Sequence, residues 1–304
     1  MVYYLKKLTA SFLTLLIIIT IVFFMLRAIP GGPFSREKPL PEATKARLEA
    51  AYGLDKPLSE QYFVYMKNLA KGDLGPSFKN PAYTVQDLIK KGLPQTAKVG
   101  LLAVTYIVIV GIVLGVMSAL KSNTTIDYIV MVIATLGVTV PSFVVGSFFI
   151  YIAQKVSFIP VGGIETPIAF VGPVIALSGY SLAFVSRLTR SSMLEVLRQD
   201  YIRTAKANGI SNFKVVFKHA LKNGLIPVVT YIGPMIAALL TGSFVIEKIF
   251  VINGIGEYFT NSVTNRDYTL TIGITIFYAT FYIIMVMIVD VLYSFIDPRI
   301  KVGN

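Results

Sequence analysis

Uncharged apolar runs of roughly twenty residues alternate along this chain with shorter stretches that hold nearly all of its charge. Windows long enough to cross about 30 Å of hydrocarbon predict spans near Thr9 to Ala28, Ala97 to Leu120, Tyr128 to Ile152, Ile168 to Ser186, Gly224 to Ile246 and Leu270 to Leu292. Lipid offers backbone amides no partner, so each run must be helical, and the short alternating strands of a closed barrel are not seen. The pattern predicts an all-α polytopic membrane protein with about six transmembrane helices.

The polar stretches carry their own signals. Between the first two spans, Pro41 to Tyr52 reads as a short helix ended by Gly53, and Leu58 to Ala70 as a second ended by Gly72. Met193 to Gly224 is the most informative stretch. Leu194, Leu197, Tyr201 and Ala205 recur at helical spacing, and the pattern stops at Asn208-Gly209. Ser211 then stands where it can cap a second helix, with Phe213, Val216, Phe217, Ala220 and Leu221 on one face and Lys214, Lys218 and Lys222 on another. Such an amphipathic helix-turn-helix has two readings: it lies in the headgroup layer, its basic stripe held by anionic lipid, or it docks a partner that moves the spans it joins. Periodicity alone leaves both open.

Charge orients the chain. Arg187, Arg190, Arg198, Arg203, Lys206, Lys214, Lys218 and Lys222 face only Glu195 and Asp200 between spans four and five, which places that loop in the cytoplasm. Lys6, Lys7, Lys121, Arg299 and Lys301 fall on the same side, so both termini are expected there. Lys6 and Lys7 before an apolar run also describe a signal peptide, but this run is longer than a signal core and ends in Arg27, Pro30, Gly31 and Gly32, so it is expected to stay as an anchor. The chain then divides into an anchor helix (1–28), an extracytoplasmic domain (29–96), a transmembrane domain (97–293) carrying the cytoplasmic loop 187–223, and a cytoplasmic tail (294–304).

Composition removes other function classes. Charged residues make up 14% of the 304 residues and the mean hydropathy is +0.70, values that fit no water-soluble domain. The net charge of +12 comes without a lysine-rich tail or a basic face interleaved with aromatics, so nucleic acid is not an expected partner. There is no cysteine and a single histidine, His219, which leaves no thiolate or imidazole metal site. No G-x-x-x-x-G-K-[ST] loop, nucleophile triad or H-E-x-x-H helix occurs, so catalytic residues and a cofactor of its own are not expected. Ionisable residues within spans are few, Arg27 and Asp290 lying near span ends, which argues against an ion-coupled carrier. A membrane-embedded enzyme would need a polar cluster at bilayer depth that is missing. Polar or flexible positions inside spans, Thr139, Pro141 and Ser142, Ser178 and Ser181, then Gly233, Pro234, Thr241 and Ser243, serve helix packing and kinking in the plainer reading. Thr139, Ser142, Ser178, Gly233, Thr241 and Ser243 are the candidates for lining a pathway.

The run Asp200-Tyr201-Ile202-Arg203-Thr204-Ala205-Lys206-Ala207-Asn208-Gly209, followed by His219-Ala220-Leu221-Lys222-Asn223 and Ile226-Pro227, resembles the EAA loop of binding-protein-dependent ABC importer permeases. Pro30-Gly31-Gly32-Pro33-Phe34, Tyr52-Gly53-Leu54-Asp55 with Gln61-Tyr62, Gly72-Asp73-Leu74-Gly75-Pro76-Ser77, Pro141-Ser142-Phe143, Gly254-Ile255-Gly256, Asn265-Arg266-Asp267-Tyr268 and Asp297-Pro298-Arg299 are similar to the oligopeptide permeases, whose framework dipeptide and nickel permeases share. The resemblance implies the type I importer permease fold in the plasma membrane. It makes Asp200, Tyr201, Arg203, Thr204, Ala205, Ala207, Gly209 and His219 the coupling residues, with Ala205 in the second-alanine position and Gly209 at the turn. Arg203 stands where the motif's acidic residue would be, and Thr204 replaces its first alanine. The implied partners are a homologous second permease subunit, two cytoplasmic ATPases that bind the ATP and Mg, an extracytoplasmic peptide-binding protein, and the lipid bilayer.

Overall fold

A computed structural model of the chain describes residues 2–34 and 41–296, with side chains over 5–34 and 41–288. The Asp297-Pro298-Arg299 motif and Lys301 lie outside the described residues, as does the side chain of Asp290. Described secondary structure is helical, with one isolated β-bridge between Pro76 and Thr84.

The helices are α1 (Val2–Arg27), α2 (Glu42–Ala51), α3 (Leu58–Leu69), α4 (Val85–Leu120), α5 (Thr125–Thr139), α6 (Ser142–Ala153), α7 (Val171–Leu197), α8 (Asp200–Ala207), α9 (Asn212–Lys214), α10 (Leu221–Gly224), α11 (Ile226–Leu240), α12 (Phe244–Ile249), α13 (Ile255–Thr264) and α14 (Tyr268–Ile296). A 3₁₀ turn at Pro167–Phe170 leads into α7, and a π-helical stretch at Val215–Ala220 joins α9 to α10. The two short helices expected between the first spans are α2 and α3, each followed by its glycine.

Among the described residues, four helices are long and apolar enough to cross a bilayer: Leu5–Arg27, Val85–Leu120, Pro167–Leu197 and Tyr268–Ile288. The expected third and fifth spans are not single helices. The third is bent by 104° between α5 and α6. Pro141 cannot donate an amide and drives Val140 out of the helical region, to φ −86° and ψ 119°. The expected Gly224–Ile246 helix stops at Leu240, because Gly242 takes a left-handed φ of +80° and Ser243 starts α12 by accepting a 3.4 Å bond from Ile246 N. Before it, Asn212–Gly224 meets α11 at an angle of 53°. The fourth span continues past Ser186 to Leu197, so Arg187 and Arg190 belong to a helix and not to a loop.

The chain forms two compact units. Of the described residues, the first comprises 2–34, 41–95 and 253–283. Its core includes Ile19, Phe23 and Leu26 of α1 against Tyr268, Ile272 and Ile276 of α14, with Tyr62 and Tyr65 of α3 packed on them. Two stretches singled out in the sequence meet here: the Asp267 carboxylate accepts bonds from Ser77 Oγ, Phe78 N (3.1 Å), Lys79 N (3.2 Å) and Leu270 N (3.1 Å). It therefore caps α14 and fastens the 77–79 turn to it.

The second unit comprises, of the described residues, 96–252 and 284–296 and is built around α7, which packs on α5, α6, α11 and α12. Small residues set the approach of α4 and α7, as expected where packing rather than water drives helix association. A Cβ added at Gly115 would lie 2.4 Å from Thr189 Cβ and 2.6 Å from Ser186 O. Gly115→Ala is therefore expected to destabilise this unit by roughly 1–3 kcal/mol through overpacking, read as a lower midpoint in thermal unfolding of the detergent-solubilised protein.

Candidate functional site

The segment between α7 and α11 is a tightly packed element. Ile202 and Ala205 of α8 are buried with Val215, Val216 and Ala220 of the π-helical stretch, against Met193 of α7 and Ala119 of α4. Met193, Ile202, Val215 and Ala220 have no exposed surface at all. Gly224 seals the other end, since a Cβ there would lie 2.5 Å from Met193 Sδ. Asn223 Nδ2 donates to Tyr201 OH at 2.9 Å and ties α10 to α8.

The turn between the two arms is closed by its backbone. Gly209 N bonds Lys206 O (3.0 Å) and Ile210 N bonds Ala205 O (3.3 Å), with Gly209 at φ +73°. This is the Schellman arrangement, in which glycine takes the left-handed position and the next apolar residue folds back on the last turn. Ile210 does so, packing against the cluster that holds Ala205.

Two details differ from the sequence pattern. Tyr201 was expected on the inner face with Leu194, Leu197 and Ala205, but it is exposed and Ile202 is buried in its place. The helix is interrupted at Gln199, which is extended (φ −70°, ψ 150°), so the register restarts at Asp200. Phe213 and Phe217 were expected to share a face with Val216 and Ala220. They are 70% and 55% exposed and lie against each other at 4.4 Å, because π winding widens the turn and brings Val215 and Val216 inward together. Ser211 occupies the cap position, but through its carbonyl, which accepts from Val215 N at 3.0 Å, and not through its hydroxyl.

Of the coupling candidates, Ala205 is part of the packed face and His219 is half-buried, while Asp200, Tyr201, Arg203, Thr204, Ala207 and Gly209 are exposed together. Thr204 Oγ1 donates to Asp200 O (3.0 Å), and Arg203 reaches Asp200 at 3.4 Å with both side chains largely in solvent, a contact of little energetic weight. A groove of about 500 Å³ runs beside them, walled by Leu197, Lys206, Phe213, Val216 and Phe217.

The pathway candidates are scattered through the second unit. Thr139 and Ser142 flank the bend at Pro141 and are exposed; Thr139 Oγ1 donates to Thr135 O (3.0 Å). Ser178 is buried, its hydroxyl donating to Val174 O (2.6 Å), and Gly233 is buried within α11. Thr241 and Ser243 stand on either side of the Gly242 turn.

One feature escaped the sequence pattern. Asp127, 2% exposed, accepts a forked pair of bonds from Arg190 Nε and Nη2 (2.6 and 2.7 Å), a bond from Ser118 Oγ, and one from Asn123 N (2.9 Å). This pin joins the ends of α4, α5 and α7, the helices beside the packed segment. Such planar two-point pairing fixes orientation as well as adding energy. Thr96 and Glu247 form another buried polar pair, at 2.9 Å.

Residues 111–302 match the family described as binding-protein-dependent transport system inner membrane component, and residues 1–100 match the N-terminal region described for such membrane components. The chain belongs to this family. It is thus an ABC importer permease, a multi-pass membrane protein with mostly helical structure. Among relatives of this permease, a dipeptide transport system permease of Bacillus subtilis is 46% identical, covering 98% of this chain and 97% of its own. An oligopeptide transport system permease of Haemophilus influenzae is 42% identical, covering 97% and 98%. A solved methionine ABC transporter, in inward-facing conformations, superposes with a TM-score of 0.54 at 16% identity, covering 71% of this permease and 97% of that chain, a likeness of fold. In a permease the loop's construction has a mechanical reading: an element fixed to α4 and α7 moves only with them.

Proposed function

We propose that this permease is one of a pair whose spans enclose the translocation pathway of an ATP-driven oligopeptide importer in the plasma membrane. Two ATPase subunits and an extracytoplasmic peptide-binding protein complete the assembly, and the excess of basic residues in the α7–α11 segment supports a cytoplasmic side for it and for both termini. The observation that carries the reading is the packed loop itself. Its buried face holds it to α4 and α7, while its exposed face, Asp200, Tyr201, Arg203, Thr204, Ala207 and Gly209 with Phe213 and Phe217, is left for a partner. The near full-length likeness to dipeptide and oligopeptide permeases supports peptide as the cargo.

ATP and Mg are bound by the ATPases, and this chain supplies no catalytic group. Closure of the ATPase dimer draws the two loops together, and each carries its own helices with it because Met193, Ile202 and Val215 leave no slack between them. The pathway opens outward to the docked receptor, and hydrolysis reverses the movement. Weak contacts from mildly polar residues such as Thr139, Ser142, Thr241 and Ser243 suit a wall that must release what it admits, whereas Ser178 and Gly233, buried within this chain, serve helix packing.

The test is uptake into proteoliposomes of the reconstituted complex, using a series of labelled peptides of increasing length. Uptake should require ATP and the binding protein. Transport that persists after ATP depletion while a proton gradient is kept would overturn the reading.

A further inference from the structure

The first unit contains a polar cavity of about 490 Å³, lined among others by Arg27, Tyr65, Gln61 and Thr269. That is within the volume range of small-ligand sites. Arg27 ends an apolar span, where a guanidinium would be expected to reach out to the headgroups. It is held inward instead. Gln61 donates from Nε2 to Leu54 O (3.1 Å) and Lys56 O (2.8 Å), which leaves its Oε1 to accept Arg27 Nε at 2.9 Å. The guanidinium lies 3.5 Å from the centre of the Phe23 ring, and Nη1 reaches Phe23 O at 3.4 Å. Its Nη2 has no hydrogen-bond partner among the described residues.

Two phenols are unsatisfied beside it. The hydroxyls of Tyr65 and Tyr268 are buried and have no hydrogen-bond partner among the described residues, and both lie within electrostatic reach of Arg27. Tyr65 lines the cavity, whereas Tyr268 is buried in the core beside it. A buried hydroxyl without a partner is costly, so one that lines a cavity next to a cation calls for an acceptor. Burial pushes the Tyr65 phenol well above its usual range, which keeps it a donor. The cavity's own carboxylate, Asp73, is engaged by Gly75 N at 2.9 Å.

We propose that this cavity is a subsite for the terminal carboxylate of a short peptide, received by the Arg27 guanidinium with the Tyr65 hydroxyl. The donor set matches a carboxylate, which takes charge-assisted bonds from a guanidinium and from hydroxyls. The space is larger than one acidic side chain fills, and Val64, Leu74 and Phe78 give it apolar wall for the residues behind the carboxylate. The inference rests on the peptide-import reading, because the orientation implied there puts the residues lining this cavity on the side from which peptide arrives.

Calorimetric titration tests it, using the purified transporter complex in phosphatidylcholine nanodiscs without its binding protein. The probes are tri-alanine and tri-alanine amide. The acid should bind and the amide should bind at least about tenfold more weakly; Tyr65→Phe, which removes only an unpartnered hydroxyl, should weaken the acid about tenfold and leave the amide unchanged. Equal binding of acid and amide, no binding of the acid, or an acid affinity that Tyr65→Phe leaves untouched would each overturn the subsite. Uptake of tri-alanine by the full ATP-driven system separates the two levels: uptake with an unresponsive titration removes this subsite alone, whereas absence of any ATP-dependent peptide uptake removes the import reading itself.

Discussion

Gly209→Pro is expected to abolish ATP-dependent peptide uptake and co-purification of the ATPase while the chain still inserts in the membrane. Proline holds φ near −65°, whereas this position needs +73°. It also removes the amide that bonds Lys206 O at 3.0 Å. The Schellman closure is lost, Ile210 no longer folds back on Ala205, and the local cost is roughly 3 kcal/mol or more. Insertion is spared because the long apolar helices lie elsewhere in the chain. Gly209→Asn is the discriminating control. Asparagine tolerates the left-handed region and should retain most uptake, so a loss in the proline variant alone assigns the effect to backbone shape.

Asp127→Ala is expected to destabilise the second unit by about 2–4 kcal/mol, which chemical unfolding of the purified protein would measure. The change strands Arg190, Ser118 and Asn123 N together, and removing one partner of a buried pair leaves the other uncompensated. Arg190 keeps a quarter of its side chain in solvent, so the loss falls at or below the usual range for broken buried pairs. An Asp127→Leu, Arg190→Met double variant should recover much of the stability, since an apolar pair of similar volume replaces the ions. Its coupling between ATP hydrolysis and transport should nevertheless fall, because the forked contact that fixes α5 on α7 is gone. A double variant as unstable as Asp127→Ala would show that the cost lies in packing and not in an orphaned charge.

The long apolar runs were legible because bilayer thickness acts on composition, so α1, α4, α7 and α14 follow from hydropathy alone. The third and fifth spans were misread as continuous because a hydropathy window averages over Pro141 and Gly242, where backbone geometry, not polarity, ends the helix. In the loop, the position of the turn was plain from Asn208-Gly209. The inner face was not, because the break at Gln199 and the π winding after Lys214 each shift the register by about a residue, exposing Tyr201, Phe213 and Phe217. The Asp127–Arg190 pin was hidden for another reason. Its partners are 63 residues apart, and Arg190 had a sufficient explanation as a topology signal. The contact of Ser77 with Asp267 joined two stretches that the family resemblance had noted separately, with no local pattern to say they meet.

A single thiol tests the central claim most directly. The chain has no cysteine, so Thr204→Cys places one reporter on the exposed face of α8. In membranes holding the full complex, an impermeant maleimide should label it only from the cytoplasmic side. A short thiol-to-amine crosslinker should join it to the ATPase subunit, with a yield that changes between ATP and ADP. Labelling from the outer face, or a thiol that never couples to an ATP-hydrolysing protein, would contradict the account.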